Sequence, residues 1–246
     1  GIDYNHSDLN PNYRFDLDYD ARSGDNDSYA SSADDIHGTP VAGVIGATFG
    51  NGNVVGVAPG ADITSFRIPG WSATKGQILT QMQNIANVDV ANNSWGYNGF
   101  FKDNFLTDPT FASIGNAIRD AVDNGRGGLG TIITFSAGNS RTEGQNVNYH
   151  NFQSSQYTIT TAALDQNGGI SYFSTPGAAI LVAAPGTGIY TTDVTGSGGY
   201  NAGDYVFMSG TSFSSPAVAG VAALMLEANP QLGYRDVQEI LAYSSK

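Results

Sequence analysis

Apolar residues along this chain gather in short runs, and five of them read as buried strands: Ile63 to Ile68, Val88 to Ala91, Thr131 to Phe135, Tyr157 to Ala162 and Ala179 to Ala183. A strand with one wet face alternates polar and apolar positions. Runs with little alternation fit strands covered on both faces, as in a parallel sheet between helices. Between these runs the period lengthens. From Phe111 to Asn124, the residues Ile114, Ala117, Ile118, Ala121 and Val122 recur at helical spacing, and Gly125 supplies a stop. From Ser214 to Ala228, apolar residues fall on nearly every side (Val218, Val221, Leu224, Met225, Leu226), which predicts a central, enclosed helix ended by Asn229-Pro230. A last amphipathic helix carries Val237, Ile240 and Leu241 on one face. The alternation predicts a layered α/β domain with right-handed crossovers. It occupies residues 1–246 as one unit, without repeat or linker.

Composition narrows the partners. The chain has 246 residues and no cysteine, which removes disulfide frameworks, thiol nucleophiles and cysteine-ligated zinc. Twenty-two acidic residues against ten Lys and Arg leave a net charge of -12. A nucleic acid needs a basic face to neutralise its phosphates, so it is excluded as a partner, and a bare anionic membrane is disfavoured for the same reason. No apolar stretch approaches the ~18 residues of a membrane span, so no membrane insertion is expected. The segment Asp16 to Asp35 is rich in aspartate. The spacing Asp16, Asp18, Asp20 matches the opening of an EF-hand loop, but Ala21 stands where that loop needs glycine and Asp27 where it needs glutamate.

Three segments carry chemistry. In His37-Gly38-Thr39-Pro40-Val41-Ala42-Gly43 a histidine precedes a helix of small residues and is a candidate general base. Ser136-Ala137-Gly138-Asn139 follows the run Thr131 to Phe135; an asparagine there is either a turn residue or an amide held at a strand end, aimed where an oxyanion develops. In Ser209-Gly210-Thr211-Ser212-Phe213-Ser214-Ser215-Pro216, a serine is either an ordinary helix cap or a hydroxyl presented at a helix start, where the dipole favours negative charge. Pro216 fits a first-turn position. Ser214 replaces the last glycine of the α/β-hydrolase Gly-x-Ser-x-Gly elbow, so that motif is absent.

Taken in order and at these separations, His-Gly-Thr-x-Val-Ala-Gly, Ala-Gly-Asn and Gly-Thr-Ser-x-Ser-x-Pro resemble the subtilisin-like serine peptidases over nearly the whole chain. Gly125-Arg126-Gly127-Gly128-Leu129-Gly130, Leu226 to Pro230 and Tyr234 to Gln238 are similar to the kexin and proprotein-convertase branch. The resemblance implies a three-layer α/β fold with a mostly parallel central sheet between helices, and a secreted, extracellular or periplasmic serine endopeptidase acting on proteins or peptides through an acyl-enzyme. In it His37 is the general base, Ser212 the nucleophile and Asn139 the oxyanion-hole side chain, while Ser94, Trp95 and Gly96 pair with the substrate backbone. A signal and a pro-segment upstream are implied. No organic cofactor is expected. Calcium is expected as a structural ion, held by Asp8 with the loop from Thr48 to Val54, including Asn51 and Asn53, and by Asp16, Asp18 and Asp20.

Two departures stand beside the resemblance. The family's triad aspartate lies in an Asp-x-Gly turn, and the alignment puts it two positions before Gly1, so the first strand of the sheet is expected to be missing and the chain to be a fragment. Asp3 falls beyond that turn and is no substitute. Without the aspartate, orientation of His37 is lost, which in such triads costs roughly 10⁴ in turnover, so the polypeptide as written is expected to be nearly inactive. The second departure concerns specificity: the acidic subsite positions of the convertases fall near Gly99, Gln145 and Thr175, with Trp71 and Phe105 also near the cleft, and none of these is acidic. That argues against strict dibasic cleavage and for a more apolar or broad preference. A catalytically inactive scaffold of the same fold, used for binding, is the alternative.

Overall fold

The structure is a computed structural model describing residues 1–50 and 52–245, with the Trp71 side chain outside the description. In chain order its strands and helices are β1 (Tyr19–Asp20), α1 (Gly38–Gly46), β2 (Phe66–Arg67), α2 (Lys75–Asn84), β3 (Val90–Asn93), α3 (Pro109–Gly128), β4 (Ile132–Ser136), α4 (Asn151–Ser154), β5 (Ile159–Leu164), β6 (Ile180–Pro185), β7 (Ile189–Thr192), β8 (Tyr205–Met208), α5 (Thr211–Ala228) and α6 (Tyr234–Ser244). They divide between two compact units, residues 1–84 with 190–207, and residues 85–189 with 208–246.

The second unit holds the sheet. Strands β3, β4, β5 and β6 lie in that order and pair in parallel, with Val90 beside Ile132, Thr134 beside Ile159 and Thr161 beside Val182. Every residue of β4 is buried, as a strand covered on both faces requires. Ile132, Ile159 and Val182 from the sheet meet Val218, Ala222 and Leu226 of α5 and Val237 and Leu241 of α6 in one apolar cluster. Asp108 caps α3 by accepting from the N–H groups of Thr110 and Phe111. Helical dihedrals in α3 stop at Gly125, followed by Arg126 and Gly127 at positive φ (52° and 66°), so the glycine stop read from the sequence is where the regular helix ends.

Three expectations need correction. The run Ile63 to Ile68 contributes only β2, which pairs with β1 in the first unit, because it is broken by Thr64, Ser65 and Arg67. Helix α5 starts at Thr211 rather than Ser214, which makes Pro216 its sixth residue instead of a first-turn one. Its enclosure is partial, for Val221 and Leu224 are 40% and 41% exposed.

In the first unit α1 is built on buried small residues, Ala42 and Gly43 among them. The acidic segment is partly buried, at Asp18, Asp20 and Asp35. Buried Arg67 pairs with Asp20 at 3.0 Å and with Asp35, which also receives Ser32 and Arg22. Paired in this way, the carboxylates at 20 and 35 tolerate burial that would otherwise cost several kcal/mol each, and the network ties the acidic segment down two residues before His37.

Candidate active site

Strand β4 delivers Ala137-Gly138-Asn139 to the start of α5. Thr211, the first residue of that helix, holds the asparagine: its N–H and its hydroxyl both donate to Asn139 Oδ1, each at 2.9 Å. The same hydroxyl accepts from the N–H of Gly138 at 3.0 Å. With its oxygen end taken twice, the side chain has one orientation left, and Nδ2 is its donating end. Gly210 makes the space in front of that amide. A Cβ at residue 210 would lie 3.3 Å from Asn139 Nδ2 and 3.7 Å from both Asn139 Oδ1 and the backbone nitrogen of Ser212, so the amide nitrogen is its nearest neighbour. Two nitrogens that can donate, Asn139 Nδ2 and the Ser212 backbone nitrogen, thus lie within 4 Å of one point that a glycine leaves free of a side chain, at the N-terminus of an 18-residue helix.

Ser94 joins this arrangement from the end of β3. Its hydroxyl donates to the Ser212 carbonyl at 2.8 Å, and its own carbonyl accepts from Ser212 Oγ at 3.4 Å. Trp95 turns inward, its ring 5.5 Å from Phe135 and 5.1 Å from Phe152. Gly96 is exposed, with a Cβ there limited by Gln153 Nε2 at 2.8 Å. The second unit therefore brings Ser212, Asn139, Ser94, Trp95 and Gly96 into one neighbourhood.

His37, in the first unit, is the residue before α1. Its pKa is lowered to about 4, first by burial, so at neutral pH the imidazole is uncharged. The Gly1 carbonyl sits where a Cβ on Gly38 would be, 2.1 Å away, which brings the opening residues against the start of α1. Asp3 is committed elsewhere: its Oδ2 accepts from the Thr195 N–H and hydroxyl at 2.9 and 2.7 Å, and Oδ1 from the Asn5 N–H. The other two histidines have structural bonds, His6 to the Asp204 carbonyl and His150 to Asp103.

A family model described as the Subtilase family, Peptidase S8, matches residues 1–246. The chain belongs to the subtilase family. It is 33% identical to a dibasic-processing endoprotease of Yarrowia lipolytica, covering all of this chain and 26% of that protein, and 32% identical to kexin of Saccharomyces cerevisiae, covering 30% of it. It thus spans about a quarter to a third of the length of these relatives. A cold adapted subtilisin-like serine proteinase superposes with a TM-score of 0.76 at 26% identity, over 99% of this chain and 78% of that one. A serine protease of Aeromonas sobria superposes at 0.89 and 23% identity, over all of this chain and 49% of that one, which speaks for the fold alone.

The metal positions expected for this subtilase separate into two cases. Asp8 is fully buried, and Tyr205 donates to its Oδ2 at 2.9 Å. Thr48 donates its N–H to the Asp8 carbonyl at 2.8 Å, bringing the following loop onto the carboxylate. At Gly52 a Cβ would come within 2.2 and 2.3 Å of the two Asp8 oxygens, so the loop forms a cradle that only glycine leaves open. Asn53 adds a backbone bond to the Tyr205 hydroxyl, while Asn51 lies outside the described residues. Of the groups described around this cradle, the Asp8 carboxylate and the Tyr205 hydroxyl are oxygens of the kind a hard divalent cation takes. Asp16, Asp18 and Asp20, by contrast, do not converge. Asp16 is bound by Arg14, Asp18 by Tyr13 and the Ser28 N–H, and Asp20 by Arg67 and the Arg22 N–H. Among the described residues no three His, Cys, Asp or Glu side chains form a group able to hold a metal ion.

Some participants escaped sequence reading. Thr211 lay inside a quoted motif without a role, and Asp103, buried near the non-acidic subsite positions, accepts from His150 and from the Phe152 N–H at 3.1 Å each. Gln145 Oε1 meets the other nitrogen of His150, Thr175 Oγ1 accepts from the Ser140 N–H, and Gly99 and Phe105 add no charge. Trp71 is outside the described side chains.

The depressed pKa of His37 has a consequence for stability. Between its ordinary value of 6.5 and about 4, the unfolded chain holds a proton there that the folded chain does not. Stability is therefore fully present above the unfolded value and lost as pH falls towards 4. For the polypeptide of residues 1–246 by itself, the urea midpoint should drop over this interval, and less steeply in His37→Gln; equal slopes in the two proteins would contradict the assignment.

Proposed function

We propose that this chain is the catalytic part of a serine endopeptidase in which Ser212 is the nucleophile, His37 the general base and Asn139, with the Ser212 N–H, the oxyanion hole. The observation that carries this reading is the open point flanked by Asn139 Nδ2 and the Ser212 nitrogen at 3.3 and 3.7 Å. Ser212 Oγ attacks the peptide carbonyl and His37 takes its proton, then returns it to the leaving amine as the acyl-enzyme forms. Water repeats the sequence to release the acid. The two N–H donors stabilise the tetrahedral oxyanion, and because they are fixed beforehand no reorganisation is needed as charge develops.

The triad aspartate belongs upstream of Gly1 in this reading. The approach of Gly1 to the start of α1 supports it, since residues just before Gly1 would enter beside His37. A carboxylate there acts on the imidazole in the opposite sense to burial, raising its pKa towards the working range and fixing its tautomer. The substrate backbone lies along Ser94, Trp95 and Gly96. With Gly99, Gln145 and Thr175 uncharged and Asp103 engaged by His150, the preference is for apolar or varied residues rather than strictly dibasic sites. A structural calcium would be held by Asp8, with backbone oxygens of the loop that follows Thr48 as further ligands, and would neutralise a buried carboxylate. Export and a pro-segment upstream follow from the family reading, and no helix among the described residues is long and apolar enough to cross a membrane.

Two measurements test this on the gene's full-length product. A fluorophosphonate should label the wild type and not Ser212→Ala. Asn139→Leu should lower kcat by about 10²- to 10³-fold, the scale of such a donor in subtilisin. Wild-type protein that takes no label would support the binding-scaffold alternative. For the ion, EGTA should lower the melting temperature by about 5 °C if calcium is present near a hundredfold over its dissociation constant. Asp8→Ala should abolish the difference; an unchanged wild-type melt rejects the site.

A further inference from the structure

Pro216 occupies the sixth position of α5. In a regular α-helix the N–H of residue 216 closes on the carbonyl of residue 212, but proline has no N–H, and its ring crowds that same carbonyl. The Ser212 carbonyl is thereby deprived of its usual helical partner. The donor comes from another element: Ser94 Oγ–H reaches it at 2.8 Å.

A serine hydroxyl has a single proton and a rotatable bond, so its direction has to be set by something else. Asn92, in β3, donates from Nδ2 to Ser94 Oγ at 2.9 Å and so occupies the acceptor side of that hydroxyl. The amide itself is fixed at Oδ1 by two hydroxyl donors, Thr134 of β4 at 3.1 Å and Ser215 of α5 at 2.7 Å. The chain of bonds therefore runs from two buried elements through Asn92 and Ser94 to the backbone of Ser212.

We infer that Asn92 is a positioning residue which, acting through Ser94, fixes the Ser212 backbone at the place where Pro216 withholds the helix's own hydrogen bond. The Ser212 carbonyl shares one Cα with the hydroxyl arm and the N–H, so a backbone shift that follows loss of its anchor would displace nucleophile and oxyanion donor together. The inference rests on Ser212 being the nucleophile. It adds that the proline of the Gly-Thr-Ser-x-Ser-x-Pro segment and the asparagine two residues before Ser94 are mechanically coupled, although 124 positions separate them (216 minus 92).

The test is a set of variants in the full-length protein, read by the rate of fluorophosphonate labelling and by kcat and KM on a peptide substrate. Asn92→Asp keeps the acceptor for Thr134 and Ser215 but loses the donor to Ser94; Ser94→Ala removes the hydroxyl itself. Each should slow labelling about tenfold or more, as misplacement of a reacting group does. The loss should fall on kcat with KM moving by less than about twofold. Pro216→Ala restores an N–H at residue 216, so in that background the same substitutions should have little effect. Wild-type labelling rates in both variants, or an undiminished loss in the Pro216→Ala background, would overturn the inference while leaving Ser212 as nucleophile. Wild-type protein that takes no label removes the nucleophile, and the positioning role with it. Ser94→Ala carries the test if Asn92→Asp fails to fold.

Discussion

Two hydrogen bonds from Thr211, one through its backbone N–H and one through its hydroxyl, hold the oxygen of Asn139 at the first residue of α5. An amide side chain on a strand end would otherwise sample several rotamers and bond to water. Held twice by its oxygen, it offers its nitrogen in a fixed direction. A third bond, from Gly138 to the same threonine hydroxyl, closes the turn so that strand end and helix start cannot separate without losing all three. What the site can do chemically follows from this clasp, since it sets two N–H groups around a point left open by Gly210.

The clasp depends in turn on the seating of α5. Val218, Ala222 and Leu226 lock the helix onto Ile132, Ile159 and Val182, and this apolar burial fixes its axis against the sheet. Polar contacts then set the details at its N-terminal end. A helix interior normally has no use for a hydroxyl from a neighbouring strand. Here Pro216 creates the need and Ser94 meets it, so an apparently unfavourable residue links helix and strand at the position where the backbone must be most exactly placed.

How much of this was legible in the chain varied with the kind of interaction. The parallel sheet was legible chiefly from Thr131 to Phe135 and Tyr157 to Ala162, whose strands β4 and β5 are buried on both faces, whereas exposure alternates along β3 and β6. The stop at Gly125 was legible because its chemistry is local. The limits of α5 were not: Thr211 and Ser212 look like capping residues, and they lie inside the helix, where tertiary bonds tie Thr211 to Asn139 and Ser212 to Ser94. Asp16, Asp18 and Asp20 misled for a related reason. Spacing of two suggests convergence on an ion, yet Arg14, Tyr13 and Arg67 draw the three carboxylates in different directions, and none of those partners is visible from the spacing. The catalytic candidates themselves were marked by motif, whereas Thr211 and Asn92, which hold them, are ordinary residues whose roles appear only when the strands are assembled.

The most direct measurement is a crystal structure of the full-length protein with a peptide aldehyde, which forms a tetrahedral adduct with a nucleophilic hydroxyl. The account requires a covalent bond to Ser212 Oγ, with the adduct oxygen about 2.7–3.1 Å from both Asn139 Nδ2 and the Ser212 nitrogen, in the space before Gly210. An adduct on another residue, or an oxygen turned away from either donor, would contradict it.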